Sequence, residues 1–364
     1  MAWPGRLEYP CGVPPAIGDS REIASGVHWV RLPMPFALDH VNSWVLTADN
    51  GVVIVDTGLA DDRTGQCWSR LLGPTGPFAS RTRLSVCVTH LHPDHVGMAG
   101  DLVRQHGAAL SMTSEEYDAA VSAVAKGDAG DPARVEFLIR AGWIAEDARQ
   151  GGGLLAAGFA TSVSRIPAEY TRLLDGSRIC AAGVEWEVIT GSGHSPDHAC
   201  FYSRENGMLI SGDQVLPRIS SNVSVFCEAP DANPLADWLA SIDKFRARVP
   251  DQTLVLPAHN EPFRGLHARL DQLEQEQLQA LDRLRAALTK QMSAVDAITA
   301  LFRRTITGGL QLEMATGESI ACLNYLLHRG EIEAHEDSAG IAQYRIREAS
   351  HGRRVDARAY EPPT

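Results

Sequence analysis

The sequence predicts an α/β protein: a strand-rich part interrupted by a helical insertion, followed by a small, mainly helical C-terminal domain. Three observations carry this. Short apolar runs rich in β-branched residues recur from residue 25 onward, each closed by Gly, Pro, Asn or Asp. Residues 113 to 170 are polar and helix-compatible instead. Beyond residue 265 the texture turns charged and glutamine-rich.

In chain order, GVHWVRLP, NSWVLTADNGVVIVDTG and RLSVCVTH read as strands. PDHVGMAGDLVRQHG has helical apolar spacing at Val96, Met98 or Ala99, and Leu102 or Val103, with Pro93 and Asp94 placed to open a helix and Gly107 to close it. The insertion follows, ending in the glycine-rich GGGLLAAGFA. Strands resume in RICAAGVEWEVITG, ACFYSRENGMLISGD and TLVLPAHN, with an amphipathic helix, NPLADWLASIDKFRARV, before the last. LHARLDQLEQEQLQALDRLRAALTK, SAVDAITALFRR and GESIACLNYLLHRG then read as three helices, and EIEAHEDSAGIAQYRI as a small hairpin. Three helices and a hairpin form a winged-helix pattern, which a generic three-helix bundle shares. The division expected is 1–265 and 266–364, with the insertion at about 113–170.

A chain of 364 residues is long enough for one large domain and a smaller one. With 44% apolar and 21% charged residues it is ordinary for a globular protein. The net charge of -12 argues against a surface that neutralises nucleic-acid phosphates. Seven cysteines with no C-x-x-C pair suggest neither a disulfide framework nor a cysteine zinc cage, and fit a reducing compartment. Prolines interrupt the N-terminal segment where an export signal needs an unbroken apolar core, and no run reaches the roughly 18 apolar residues of a membrane span. The expectation is a cytoplasmic protein with no membrane partner.

The stretch THLHPDHVGM, residues 89 to 98, crowds three imidazoles and a carboxylate into the positions from His90 to His95. Protonated, such histidines repel; buried and neutral, they leave nitrogens unsatisfied. A bound cation removes both problems, and neutral imidazole is the commonest metal ligand. His90 and His92 are two apart in an extended segment, so both reach the same side. Asp94 and His95 lie past the turn at Pro93 and can face a second ion. More donors are needed, and His194 in GSGHSPDH, Asp213 in LISGDQ and His259 in LVLPAHN each follow a strand.

This pattern resembles the metallo-β-lactamase superfamily, whose H-x-H-x-D-H signature stands here as His90, His92, Asp94 and His95, with its later motifs matched at His194, Asp213 and His259. The resemblance covers residues 25 to 265 and implies an αββα sandwich, with the C-terminal region similar to the winged-helix tail of some glyoxalase II-like members. It implies one ion held by His90, His92 and His194, a second by Asp94, His95 and His259, and Asp213 bridging them. It places Asp56, in VVIVDTG, beneath the metals or orienting a ligand. His198 and His40 are candidates for packing beside the ligands or facing substrate. The loop with Met34 and Phe36 is a candidate cover over the site, and Tyr117, Trp143 and Tyr170 are candidates for a pocket wall.

Two ions, zinc first with manganese or iron as alternatives, would share a water of lowered pKa as the nucleophile. The function implied is hydrolysis of an ester, thioester or lactone, with Asp94 and Asp213 as the catalytic carboxylates and a small acyl molecule as substrate. The rivals are a nuclease of the same fold and a mononuclear iron dioxygenase acting on a persulfide. The C-terminal region, whose candidate groove helix GESIACLNYLLHRG has only Arg329 for phosphate contact, reads as a substrate cap or homodimer element.

Overall fold

A computed structural model describes residues 6–347, apart from 37, 49–50, 80–82, 127–130, 152–158, 160, 304 and 307–308. The glycine-rich run at 151–160 therefore lies almost wholly outside the described residues. Strands β1 (Ser20–Ala24), β2 (Val27–Pro33), β3 (His40–Ala48), β4 (Gly51–Val55), β5 (Arg83–Cys87), β6 (Ala109–Met112) and β7 (Thr171–Arg172) form one sheet in sequence order. Pairing is antiparallel up to β4 and parallel from β4 to β7. The later strands form a second sheet, β12-β11-β10-β9-β8, from β8 (Arg178–Ala181), β9 (Val184–Gly191), β10 (His198–Ser203), β11 (Met208–Gly212) and β12 (Leu254–Pro257). Only β7 returns to the first sheet after the insertion, and the strands that follow build the second.

The reason lies in which faces are apolar. On β2, Val27 and Trp29 join Trp44, Val55, Trp186, Phe201, Ile210 and Leu256 in a cluster between the sheets. Val30 and Leu32, on the opposite face of the same strand, pack with Trp68 and Leu71 of α1 (Asp62–Leu72) and Leu102 of α3 (Ala99–His106). The second sheet likewise turns Ile189, Cys200 and Leu209 outward onto Trp238 and Phe245 of α7 (Pro234–Arg248). Sheets covered on both faces need apolar residues on both, which is why these strands read as near-continuous runs. The architecture is an αββα sandwich.

Helix α1 was legible but is absent from the sequence reading: Asp61 caps it by accepting from the Thr64 amide, and Trp68 and Leu71 bury one face. The single helix expected from Pro93 to Gly107 is two, α2 (Pro93–Val96) and α3. Between them Gly97 fits where a Cβ would stand 2.4 Å from both the Gly58 and Pro93 carbonyl oxygens.

The insertion contains α4 (Ser114–Lys126), α5 (Pro132–Arg140) and α6 (Ala145–Gly151). Here Trp143 packs with Leu138 and Ala148 and donates from Nε1 to Thr316 Oγ1 at 2.9 Å, so it joins the insertion to the C-terminal helices instead of lining a pocket. Those helices are α8 (Leu266–Ala287), α9 (Ala294–Leu301) and α10 (Gly309–His328), followed by the hairpin β13 (Ile332–Glu336) and β14 (Ala342–Ile346). The segment weighed for groove contact and set aside is the second half of α10, and it is buried against its own chain. Gly317 allows the approach, since a Cβ there would lie 2.8 Å from Ser224 and 3.0 Å from the Val225 oxygen. Asn324 donates to the Pro230 and Ala232 oxygens. Among the described residues, no helix is long and apolar enough to cross a membrane.

Candidate metal centre

Asp56, Thr89–His90, His194, Asp213 and His259 all follow the ends of strands β4, β5, β9, β11 and β12, so both sheets deliver side chains to one rim. Asp56 sits at φ 63, a left-handed conformation that costs a non-glycine residue energy and is held by its surroundings. Its carboxylate accepts from the Thr89 amide at 2.8 Å, from Thr89 Oγ1 at 2.9 Å and from His95 Nδ1 at 2.8 Å. These bonds fix protons. Thr89 spends its hydroxyl hydrogen on Asp56, so its oxygen accepts from His90 Nδ1 at 2.9 Å. His194 Nδ1 donates to the Asn222 oxygen at 2.7 Å, and His259 Nδ1 to the His40 oxygen at 3.0 Å.

With Nδ1 of each ring donating to these partners, Nε2 of His90, His95, His194 and His259 is the atom that points inward. His90 Nε2 lies 2.8 Å from His92 Nδ1 and 3.2 Å from His194 Nε2. Two lone pairs at this spacing repel, yet two nitrogens bound tetrahedrally to one zinc-sized ion stand about 3.3 Å apart. His95 Nε2 and Asp213 Oδ1 are buried and have no hydrogen-bond partner. The donors form two groups, His90, His92, His194 and Asp213, and Asp94, His95 and His259. Asp213 spans both, with Oδ2 3.5 Å from His194 Nε2 and Oδ1 3.4 Å from His259 Nε2 and 3.6 Å from His95 Nε2. Buried polar atoms without a partner, converging ring nitrogens and a shared carboxylate fit a pair of divalent ions.

Charge tells the same story. Burial pulls the His90 imidazole well below its usual value, reinforced by His95 and His92. Burial, with His194 adding to it, brings His92 down to about 3. Burial also opposes charge on His259, but Asp213 and Asp94 outweigh it and raise its pKa to about 10; His95 is likewise raised by Asp94, Asp56 and Asp213 against its burial. Asp94 would be raised by burial but is held at about 2 by His95 and His259. Among protein groups alone, two imidazolium protons therefore supply the positive charge that ions would otherwise supply.

A pH dependence follows. In protein stripped of metal, His259 contributes stability below 6.5, its ordinary value, and loses it as pH rises toward about 10. Asp94 contributes above 3.8 and loses it as pH falls toward about 2. Metal binding at these imidazoles must displace their protons, so loading at neutral pH should release protons and weaken as pH falls. Calorimetry in buffers of different ionisation enthalpy measures this; an absence of proton release would contradict the charge assignment.

His198 is fully buried, its ring stacked 4.7 Å behind His90. Its Nε2 accepts from the Asp213 amide at 3.1 Å, so it packs beneath the donors and holds the Asp213 backbone. It does not face outward to substrate. His40 contributes mainly its carbonyl, while its ring lies 2.7 Å from Asp39 and accepts from the Asn260 amide at 3.2 Å. Met34 packs on the first sheet's outer core and Phe36 is 55% exposed. Tyr117 and Tyr170 stack at 3.8 Å, with the Tyr117 hydroxyl donating to the Pro167 oxygen.

Sequence reasoning missed Thr89, Asn222, Arg269 and Glu116. Thr89 adjoins the signature and was within reach. Arg269 donates to the Leu216 and Ile219 oxygens at 2.6 and 2.8 Å, pinning the loop between Asp213 and Asn222. Glu116 lies in a polar helix with nothing in its neighbourhood to mark it.

Comparison with known proteins agrees with this arrangement. A model of the metallo-β-lactamase superfamily matches residues 37–287, more than half the chain, and a model of the metallo-β-lactamase-like C-terminal domain matches 281–347. A crystal structure of a β-lactamase domain protein from Burkholderia ambifaria superposes with a TM-score of 0.85 at 36% identity, covering 94% of this chain and 98% of that one. The chain is 25% identical to the "Probable metallo-hydrolase YqjP" of Bacillus subtilis (strain 168), over 79% of its own length and 88% of that protein's. It is 23% identical to an atrochrysone carboxyl ACP thioesterase of Aspergillus fumigatus over 65% of its length, a match that spans 41% of the thioesterase. Sandwich, strand-end donors and matched span agree: the chain belongs to the metallo-β-lactamase superfamily.

Proposed function

We propose that this chain is a two-metal hydrolase of acyl compounds, with thioesters first among ester, thioester and lactone substrates. The carrying observation is the seven-donor cluster in which Asp213 lies within 3.6 Å of nitrogens in both halves. In this reading His90, His92 and His194 hold one ion, Asp94, His95 and His259 the other, and Asp213 both. Five imidazoles and two carboxylates suit zinc, with manganese or iron as substitutes. When bound, such a pair supplies a water of lowered pKa and a Lewis acid for the acyl oxygen.

The protein's own groups do the rest. Asp56, the Asn222 oxygen and the His40 oxygen keep the imidazoles in the tautomer that leaves Nε2 free. His92 and Asp94 are the donors that are only partly buried; the Asp94 and Asp213 side chains are 16% and 12% exposed against 0–4% for His95, His194 and His259. Substrate thus meets the centre on the side of His92 and Asp94, where Asp94 is placed to pass a proton to the leaving group. No serine or cysteine nucleophile is needed: Cys87, Cys200 and Cys322 are buried, with thiols pushed up by that burial.

The thioesterase relatives support an acyl substrate, and the burial of α10 within its own chain counts against a nucleic-acid groove. The test is a panel of acyl thioesters, lactones, a β-lactam and an activated phosphodiester with the metal-loaded protein. The highest kcat/KM is expected for a thioester. Faster phosphodiester cleavage, with steeply salt-dependent RNA binding, would overturn this in favour of the nuclease.

A further inference from the structure

Glu116 is 0% exposed and is not one of the seven donors. It projects from α4, in the insertion, and makes three hydrogen bonds, each to a loop that carries donors. Oε2 accepts from the Leu91 amide at 2.9 Å, and Leu91 stands between His90 and His92. Oε1 accepts from Ser195 Oγ at 2.5 Å and from the Asp197 amide at 2.9 Å, and Ser195 follows His194. Two backbone amides and a hydroxyl therefore converge on one carboxylate, which must accept at both oxygens.

These bonds are unevenly shared between the halves of the centre. All three go to the loops of His90, His92 and His194, whereas His95 and His259 are oriented by Asp56 and the His40 oxygen. The two loops come from different sheets, and nothing in their local sequence sets the gap between them. A carboxylate bound to both, beside the Ala199 amide's bond to the Thr89 oxygen at 2.8 Å, sets that gap, and with it the 3.2 Å separation of the His90 and His194 nitrogens.

We propose that Glu116 is a positioning residue for one half of the centre, stapling the His90–His92 loop to the His194 loop at the spacing one ion requires. This rests on the two-metal reading above. A glutamine at 116 keeps the size but not the acceptors: wherever its oxygen points, its NH2 group faces an N–H, of Leu91 or of Asp197.

The test uses cobalt(II) as probe on the full chain, in two backgrounds. His259→Ala leaves the His90, His92 and His194 group intact, and His92→Ala leaves the Asp94, His95 and His259 group intact. Adding Glu116→Gln should lower cobalt affinity by about 10–100-fold in the first background and change its visible absorption, and by less than about threefold in the second. Thermal melts confirm that each variant folds, and Glu116→Asp, whose shorter chain retains acceptors, should recover part of the loss. Equal weakening in both backgrounds, or none in the first, overturns the proposal. If the unsubstituted chain binds only one ion the two-metal reading fails, and the staple stands or falls on whether Glu116→Gln weakens that ion.

Discussion

Replacing Asp213 by alanine should remove at least one of two bound ions and lower kcat/KM about 10³-fold or more, since it forfeits several kcal/mol of metal-derived stabilisation. Asp213 belongs to one group and its carboxylate also lies beside donors of the other at 3.4 and 3.6 Å. No neighbour can replace it. Its main chain is held independently, by the His198 ring at its amide and the Ser221 hydroxyl at its oxygen, so the substitution removes the carboxylate without releasing the loop. Plasma mass spectrometry on protein purified without added metal or chelator reads the stoichiometry. About two zinc or manganese ions falling to one or fewer supports the bridge. About one iron, unchanged by the substitution, would sink the two-metal mechanism and bring oxygen-dependent sulfur chemistry forward.

The donors were legible because the superfamily writes them locally. His90 and His92 stand two apart in an extended segment, and His194, Asp213 and His259 each close an apolar run beside glycine or proline. The C-terminal order of three helices and a hairpin was legible by periodicity as well. What escaped was whatever depends on partners distant in sequence. The two-sheet sandwich came from the resemblance and not from periodicity, because strand periodicity records burial, not which sheet a strand joins. Glu116 was invisible because its partners are 25, 79 and 81 residues away, and a helix reading Ser-Glu-Glu-Tyr-Asp looks solvated from its composition. The burial of α10 escaped for the same reason, since the loop that covers Gly317 comes from residues 224 and 225.

Arg269→Ala should be the most destabilising change outside the donor set, costing roughly 3–5 kcal/mol. The side chain is 2% exposed and its guanidinium donates to two main-chain oxygens, Leu216 and Ile219, with Glu276 at 3.9 Å. Alanine removes the Arg269 donors from both oxygens and opens a void the length of the arginine stem. Lysine should rescue less than half, because one ammonium cannot reach two carbonyls as a planar fork does. The loop so held runs from Asp213 to Asn222, whose oxygen fixes the His194 tautomer, so metal affinity should fall along with the urea midpoint. A loss below about 1 kcal/mol would mean that water already serves those oxygens. Arg269 belongs to α8, which begins at Leu266, and the superfamily match runs to residue 287, the end of that helix. The helix that opens the C-terminal region is thus also the back wall of the loop bearing the shared carboxylate, which couples the folding of that region to the integrity of the centre.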